Sequence, residues 1–180
     1  MAVKLVEPAI DYKEEYLDML AEWQAAGEKL VPFVLRMDAS DFAGMVHELH
    51  GYRNGRNVPD TFVEHSTYWL VDDDAGKMLG AVNIRHRLNE RLLHIGGHIG
   101  YGIRPSERRK GLATELLRLA LEQAARMGLE RVLLTCNKSN VGSAKTIVNN
   151  GGVLDSEDTD DQGVPIQRYW IDGIAADFTD

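Results

Sequence analysis

Apolar residues recur every three or four positions in four stretches of the chain, as they do on one face of an α-helix. The stretches are Tyr12 to Ala26, Ser40 to His50, Glu107 to Met127 and Asn140 to Asn150. Each is followed directly by a glycine, which commonly ends a helix because it adopts the left-handed conformation without strain. The spacing therefore predicts four helices, of which Glu107 to Met127 has the most regular apolar face.

Other stretches have the lengths and alternation typical of β-strands. Thr67 to Arg85 contains two such runs joined by a polar DDDAGK turn, which predicts a β-hairpin. Gly97 to Ile103 alternates, and its glycines leave one side of the strand nearly bare. Arg131 to Cys136 is a continuous apolar run that suits a strand buried on both faces. Two further strands are predicted at Val153 to Ser156 and Val164 to Ile171.

The order strand, helix, strand from Gly97 to Cys136 favours a right-handed parallel crossover. We therefore expect Arg131 to Cys136 to be a central strand beside Gly97 to Ile103. The stretch Gly51 to Asp60 is rich in turn-forming residues and is predicted to be a loop. Because no repeat or low-complexity linker interrupts the sequence, residues 1–180 are predicted to form a single domain.

The composition is that of an ordinary globular protein, with 44% hydrophobic residues in a chain of 180. No run of about 18 apolar residues is present, and the first residues lack the apolar segment of a secretion signal. We therefore expect no membrane association and a cytoplasmic location. The single cysteine, Cys136, cannot form an internal disulfide, which agrees with a reducing compartment.

The charge pattern excludes some partners. Lysine and arginine total 20 against 28 acidic residues, a net charge of -8, so nucleic acid is not expected to bind. No metal site is expected either, because glycines between His94 and His98 break the helical geometry that would bring the two rings together. The acidic run Glu157 to Asp161 is interpreted as a solvated turn.

The segment Ser106 to Thr114, SERRKGLAT, stands at the start of the third helix, directly after a strand. The first backbone N–H groups of a helix lack partners and carry partial positive charge, so they can bind a diphosphate. Gly111 and Ala113 keep the surface low, and the neighbouring basic residues add charge. Alone, the motif also fits a solvated helix start, and its glycines match neither a P-loop nor a dinucleotide-binding loop.

Two motifs at the right separation resemble those of the GNAT superfamily of acetyltransferases. Arg108 to Ala113 matches the signature [Gln/Arg]-x-x-Gly-x-[Gly/Ala], after a strand end, Ile103-Arg104-Pro105, of the family type. Asn140, Ser143 and Gly151 match the later pattern of Asn, a small residue three positions on, and a helix-ending glycine. The resemblance extends from about Tyr68 to Ile171.

The resemblance implies an α/β single-domain GNAT-like fold. Its central sheet would be mixed and mostly antiparallel, with a splayed parallel strand pair, and would be flanked by helices. It also implies acetyl-CoA as co-substrate, held by a core at about residues 67–151, with the pantetheine arm in the gap between the splayed strands. The cofactor-binding residues carried over are Ile103, Arg108, Arg109, Lys110, Gly111, Leu112, Ala113, Thr114, Asn140, Ser143 and Lys145.

The implied activity is that of an acyltransferase, an N-acetyltransferase that moves acetyl directly to a primary amine of a small molecule or a protein. Many members carry a tyrosine acid where this chain has Ile147, and some carry a glutamate base where it has Gly97. Candidate substitutes are His98, Ser143 and Tyr169. A buried core role is the favoured interpretation of Cys136.

Two alternatives remain open at this stage. One is a catalytically inactive regulatory module that binds acyl-CoA, suggested by the two departures from the family pattern. The other is an α/β interaction domain without acetyl-CoA. The sequence does not identify the acceptor, since Arg53, Arg56 and His65 suit an anionic group whereas the acidic tail suits a cationic one. Homodimers are common among similar proteins, but the sequence does not decide the assembly.

Overall fold

Two antiparallel sheets form the centre of the computed structural model, which describes residues 1–174. The first contains, in spatial order, β1 (Val3–Val6), β2 (His65–Asp72), β3 (Met78–Arg85) and β4 (Ile99–Ile103). The second contains β5 (Arg131–Asn137), β7 (Pro165–Asp172) and β6 (Val153–Thr159), with β7 in the middle. The predicted α/β class with mostly antiparallel strands is confirmed.

Within residues 1–174, the helices around the sheets are α1 (Lys13–Ala25), α2 (Phe42–Tyr52), α3 (Glu90–His94), α4 (Leu112–Arg126) and α5 (Val141–Asn149). Three of them, α1, α4 and α5, fall within the predicted stretches, and α2 lies in the fourth but continues through Gly51 to Tyr52, beyond its predicted end. Strand β1 and helix α3 were not predicted, because four or five residues are too few to show a period. Each depends on local partners instead: β1 pairs with β2, and the Asn89 side chain caps α3 by accepting a hydrogen bond from Leu92 N at 2.9 Å.

The first sheet is covered on both faces, so its central strands β2 and β3 are buried along almost their whole length. Helix α4 packs on one face, where Leu116 and Leu117 meet Leu70 and Val82. Helices α1 and α2 cover the opposite face around Trp69. Each large apolar side chain removed from water in this way contributes about 1.5–3 kcal/mol. The two cores together hold β4 rigidly between two helical layers.

The expected parallel ladder between β4 and β5 is not confirmed, because every hydrogen-bonded strand pair among the described residues is antiparallel. The segment that leads into β4 contacts β5, since His98 N donates to Leu133 O and Gly96 N donates to Thr135 Oγ1, both at 2.8 Å. Gly97, with a φ of +60°, packs so closely on Leu133 O that a Cβ would lie 2.3 Å from it. After this point β4 pairs only with β3, and its other edge borders a cleft.

Two element boundaries also differ from the predictions. Helix α4 begins at Leu112 and not at Glu107, because Arg109 and Gly111 adopt positive φ values of 62° and 78° that a helix cannot contain. A 3₁₀ turn at Pro105–Glu107 precedes that loop. Strand β6 extends to Thr159, so the first part of the acidic run Glu157 to Asp161 belongs to a strand and only the rest to a turn.

Candidate active site

The free edge of β4 opens into a cleft of about 380 Å³ between this strand, the start of α4 and the start of α5. Most of the predicted cofactor-binding residues line it. They are Ile103, Arg108, Arg109, Gly111, Leu112, Ala113, Thr114, Asn140 and Ser143. Lys110 and Lys145 are exposed and are not part of this lining. The structure thus brings together residues that lie up to forty positions apart in the sequence.

The start of α4 has the features of an anion cradle. Gly111 is its N-cap residue, and no side chain caps the helix. The N–H groups of Leu112, Ala113 and Thr114 belong to the first turn, where no intrahelical acceptor exists. A Cβ on Gly111 would meet nothing within 4 Å, so the space in front of these N–H groups is open. A phosphate group can therefore be bound by the backbone and the helix dipole.

The basic side chains around this cradle are mostly engaged elsewhere. Arg108 donates through Nη1 to Glu28 Oε2 at 2.7 Å and through Nε to Ile103 O at 3.0 Å. Lys110 Nζ pairs with Glu107 Oε2 at 2.8 Å. Arg109, by contrast, is exposed and lines the cleft. We infer that the backbone, with Arg109, provides most of the positive potential that a ligand would meet.

An ion cluster anchors the loop that carries the cradle. The Arg104 side chain is only 3% exposed and pairs with Asp18, at 2.8 Å, and with Glu22. Its Nη1 also donates to Met78 O at 2.9 Å, on β3. Ser106 N donates to Glu22 Oε1 at 3.1 Å, on α1. The segment between β4 and α4 is thereby fixed to both α1 and β3.

The opposite wall of the cleft is the start of α5. Asn140 caps this helix, with its Oδ1 accepting a hydrogen bond from Ser143 N at 3.0 Å. The Ser143 hydroxyl lies 3.1 Å from the hydroxyl of Tyr101, which reaches across from β4. Asn140 therefore has a capping role in addition to any contact with a ligand, and Ser143 is positioned by both neighbours.

Tyr101 is a candidate functional residue that sequence reasoning did not select. It lines the cleft, and burial raises the pKa of its phenol, an effect that the hydrogen bond to Ser143 opposes. A phenol that stays protonated can donate a proton to a thiolate. The signal was present in the alternation of GHIGYGI, which places Tyr101 on the face of β4 that carries Ile99 and Ile103. Choosing it required the position of α5.

The two positions that depart from the family pattern both serve the packing. Ile147 is fully buried in the core beside α4. Gly97 touches the backbone of Leu133, so no side chain fits there. Neither Ile147 nor Gly97 therefore supplies an acid or a base.

His98 was proposed as a base, and the structure places it at the junction of the two sheets. Its Nδ1 accepts a hydrogen bond from Leu133 N at 2.9 Å, and the side chain is buried. Burial, assisted by the nearby charge of Arg85, lowers its pKa to about 4. His98 is not among the residues that line the cleft. Its observed contacts join the sheets, and its role as a base stays a prediction.

Tyr169 and Cys136 lie near the cleft without lining it. Tyr169 is buried on β7 and donates its hydroxyl proton to Gln167 Oε1 at 2.8 Å. Burial raises the pKa of the half-buried Cys136 thiol, which reduces its fraction of reactive thiolate at neutral pH. The Tyr169 hydroxyl therefore bonds to Gln167 and is not part of the cleft lining, and its catalytic role stays a prediction.

Two general features of residues 1–174 complete the description. None of their helices is both long and apolar enough to cross a membrane. Their acidic, cysteine and histidine side chains form no group of three or more that could hold a metal ion.

Solved structures of acetyltransferases share this architecture. The microcin C7 self-immunity acetyltransferase MccE, solved with acetyl-CoA and AMP, aligns with a TM-score of 0.68 at 16% identity over 94% of this chain and 92% of its own. A GNAT-family acetyltransferase from Streptococcus pneumoniae aligns with a TM-score of 0.64 at 17% identity, over 94% of this chain and 98% of its own. A variant of the spermidine N-acetyltransferase SpeG from Vibrio cholerae aligns with a TM-score of 0.63 at 14% identity, over 96% of this chain and 95% of its own. At these identities the likeness shows the fold alone.

The sequence comparisons are more specific. No curated protein sequence matches the chain significantly. Residues 12–153, which include both helical layers and the whole cleft, match the family described as the acetyltransferase (GNAT) domain. With a match over most of its length, this chain belongs to the GNAT acetyltransferase family and is an acyltransferase.

Proposed function

We propose that the protein transfers an acetyl group from acetyl-CoA directly to a primary amine of a small molecule or a protein. The observation that carries the proposal is the open anion cradle at Gly111, continuous with a cleft that follows the free edge of β4 to Tyr101. The MccE structure contains acetyl-CoA, and SpeG is named for the acetylation of spermidine. Both facts concern relatives of the same fold and support this assignment.

The residues of the cleft fit acetyl-CoA. Backbone N–H groups of Leu112, Ala113 and Thr114 would bind the pyrophosphate, and Arg109 would add a cation. The free edge of β4 would pair with the pantetheine arm, whose other side would face Asn140 and Ser143. When bound, acetyl-CoA supplies the acetyl group as a thioester, which an amine attacks without a covalent enzyme intermediate.

The leaving thiolate needs a proton, and we propose that Tyr101 provides it, with Ser143 as its hydrogen-bonded neighbour. The pair lies 3.1 Å apart in the cleft, and the raised pKa of Tyr101 keeps the phenol protonated at neutral pH. General acid catalysis of this kind contributes about 10²–10⁴ in rate. Because Gly97 has no side chain, the acceptor amine would arrive unprotonated or lose its proton to water, unless His98 serves as the base.

The inactive-module alternative is suggested by the departures at Gly97 and Ile147, and a proton donor at Tyr101 would supply the acid that is missing at Ile147. Three other expectations remain proposals: residues 1–180 act as one domain, the protein works in the cytoplasm, and it forms a homodimer.

A turnover screen tests the proposed function. Purified protein with saturating acetyl-CoA is offered polyamines, amino acids, aminoglycosides and peptide N-termini, and released thiol is measured. We expect release above the acceptor-free rate with at least one amine class. Binding of acetyl-CoA without release by any class would contradict the enzymatic proposal, and no binding would contradict the cofactor as well.

A further inference from the structure

A second polar cluster lies on the other face of β4, outside the cleft. Arg85 and Asn83 on β3, with His65 on β2, point to the side of the sheet that α1 and α2 cover. Most of this face is apolar, so three polar side chains in adjacent strand positions need an explanation. We call them the Arg85 cluster.

The cluster contains two fully buried polar atoms without partners. Arg85 is 7% exposed, and its Nε has no hydrogen-bond acceptor within the described residues. Asn83 donates from Nδ2 to His65 Nδ1 at 2.8 Å and to Thr67 Oγ1 at 3.1 Å, but its Oδ1 has no donor in the same part of the chain. Each such atom costs about 1–3 kcal/mol, which a fold rarely tolerates without a use.

The cluster also carries one uncompensated positive charge. Burial lowers the pKa of Arg85 to about 10, so the guanidinium stays charged at neutral pH. No acidic side chain among residues 1–174 forms an ion pair with it. Burial and the charge of Arg85 together lower the pKa values of His65 and His98 to about 4, so both rings are neutral. A buried cation of this kind favours an anionic partner.

The Arg85 cluster lies next to β4 at Gly100. This glycine pairs with Asn83 across the strands and is partly exposed. A Cβ on Gly100 would lie 3.1 Å from Arg85 Nη2, so the guanidinium lies directly behind the bare backbone of β4. Tyr101, the next residue, lines the cleft on the opposite face. The cleft therefore lies on one face of β4 and the Arg85 cluster on the other, and both lie next to the same free edge of the strand.

Aromatic rings enclose the cluster on its remaining side. Phe33 lies 5.5 Å from the Arg85 guanidinium, and Tyr52 stacks on His65 at 4.6 Å. Phe62 contacts both Phe33 and His65 edge to face. These rings exclude water, which strengthens an ionic hydrogen bond at the guanidinium.

Resting on the proposed function, we propose that the Arg85 cluster binds the carboxylate of the acceptor, so that the preferred acceptors are amino acids or similar amino-carboxylates. Arg85 Nη1 donates to Gly96 O at 3.3 Å, whereas Nε has no acceptor among the described residues and Nη2 faces Gly100. Nε and Nη2 together form the two-pronged edge that matches a carboxylate. A single cation suits one negative charge better than a phosphate dianion. Asn83 Oδ1 is the complementary acceptor for an N–H of the amine.

The test compares acceptors that differ only in the carboxylate. Leucine is paired with isoamylamine, and phenylalanine with phenethylamine, at saturating acetyl-CoA. We expect wild-type protein to prefer the carboxylate member of each pair by about 10-fold or more in kcat/KM. The amine without a carboxylate would leave the buried charge of Arg85 unpaired, which weakens its binding. In Arg85→Met the KM of the carboxylate member should rise and the preference should vanish, while Arg85→Lys should be intermediate.

Two controls keep the result interpretable. Arg87→Met removes an exposed arginine two residues away, paired with Glu64, and should leave the preference intact. The melting temperature and the acetyl-CoA affinity of Arg85→Met report whether it folds, and the apolar replacement of a buried charge is usually tolerated. A preference retained by Arg85→Met, or absent from the wild type, would overturn the proposal.

A binding measurement separates this proposal from the proposed function. Isothermal titration with N-acetyl-leucine and N-acetylisoamylamine needs no turnover. We expect the wild type to bind the carboxylate compound more tightly, and Arg85→Met to lose the difference. That outcome supports the subsite even if no acceptor is acetylated, whereas equal binding of both compounds by the wild type would contradict it even if turnover is observed.

Discussion

The hydroxyl groups of Tyr101 and Ser143 lie 3.1 Å apart, and they join β4 to α5 across the cleft. If Tyr101 donates the proton to the departing thiolate, Tyr101→Phe should lower kcat by about 10²-fold or more with little change in the acetyl-CoA KM. Ser143→Ala should lower kcat less, because it removes only the neighbour. Steady-state kinetics with the best acceptor from the screen measure both.

Tyr169→Phe distinguishes the two candidate tyrosines. Tyr169 donates to Gln167 and does not line the cleft, so its loss should affect kcat far less than that of Tyr101. A larger decrease in kcat for Tyr169→Phe than for Tyr101→Phe would indicate that Tyr169, on β7, is the proton donor instead.

The contact between His98 and Leu133 predicts a pH dependence of stability. His65 and His98 have folded-state pKa values of about 4, below the ordinary value near 6.5. The unfolded chain therefore binds more protons between pH 6.5 and 4, and the free energy of unfolding should fall as pH decreases through that window. Each histidine contributes a slope of up to about 1.4 kcal/mol per pH unit. Above pH 7 both contributions are fully present.

His98→Asn isolates one of these contributions, since the asparagine Oδ1 can replace Nδ1 as the acceptor for Leu133 N without titrating. Urea unfolding from pH 7 to 4.5 should show a shallower slope than for the wild type. His47→Asn, at an exposed position of α2, controls for the loss of a histidine. An unchanged slope for His98→Asn would contradict the burial argument. The pH profile of kcat/KM for His98→Ala tests its role as a base, because an unchanged acidic limb would exclude it.

The close approach of Gly97 to Leu133 O predicts a large cost for any side chain there. Gly97→Ala adds a Cβ 2.3 Å from that oxygen and also strains a φ of +60°. Gly163→Ala shares a positive φ, of +80°, but has open space around it. We expect a loss of about 1 kcal/mol for Gly163→Ala and about 2–4 kcal/mol for Gly97→Ala by denaturant unfolding. Equal losses would show that the sheets separate easily.

The ion cluster at Arg104 predicts coupling between stability and cofactor binding. Arg104→Gln removes the buried guanidinium that holds Asp18, Glu22 and Met78 O, and should cost about 3 kcal/mol. Arg118→Gln removes an exposed ion-paired arginine on α4 and should cost less than about 1 kcal/mol. Arg104→Gln should also weaken acetyl-CoA binding, because the cradle loses its anchor. Unfolding curves and titration measure the two effects.

Much of the fold could be predicted because its main elements have regular patterns. Helix α4 and strands β2, β3 and β5 are long enough for their apolar spacing to show. The start of α4 is predicted too early, at Glu107, because the sequence SERRKGLAT gives no indication that Arg109 adopts a positive φ. The order of elements also favoured a β4–β5 ladder, but among the described strands β4 pairs only with β3 and β5 only with β7.

The candidate site was predictable only in part. Gly111 and Asn140 carry recognisable motifs, and the structure brings both to one cleft. Tyr101 and Arg85 carry none, because their significance depends on what lies opposite them in space. The proposed proton donor and the proposed acceptor subsite therefore required the structure, whereas the proposed cofactor cradle did not.

The central claim is that acetyl-CoA binds at the open cradle of Gly111, and a matched pair of variants tests it most directly. Gly111→Glu and Gly128→Glu place the same charged residue at the two ends of α4, at φ values of +78° and +90° with no atom within 4 Å of either new Cβ. Both variants have similar strain, but only the first repels a pyrophosphate. Isothermal titration with acetyl-CoA should show a loss of about 100-fold or more for Gly111→Glu and less than about 3-fold for Gly128→Glu. Equal affinity of Gly111→Glu and the wild type, or an equal loss in both variants, would contradict the account.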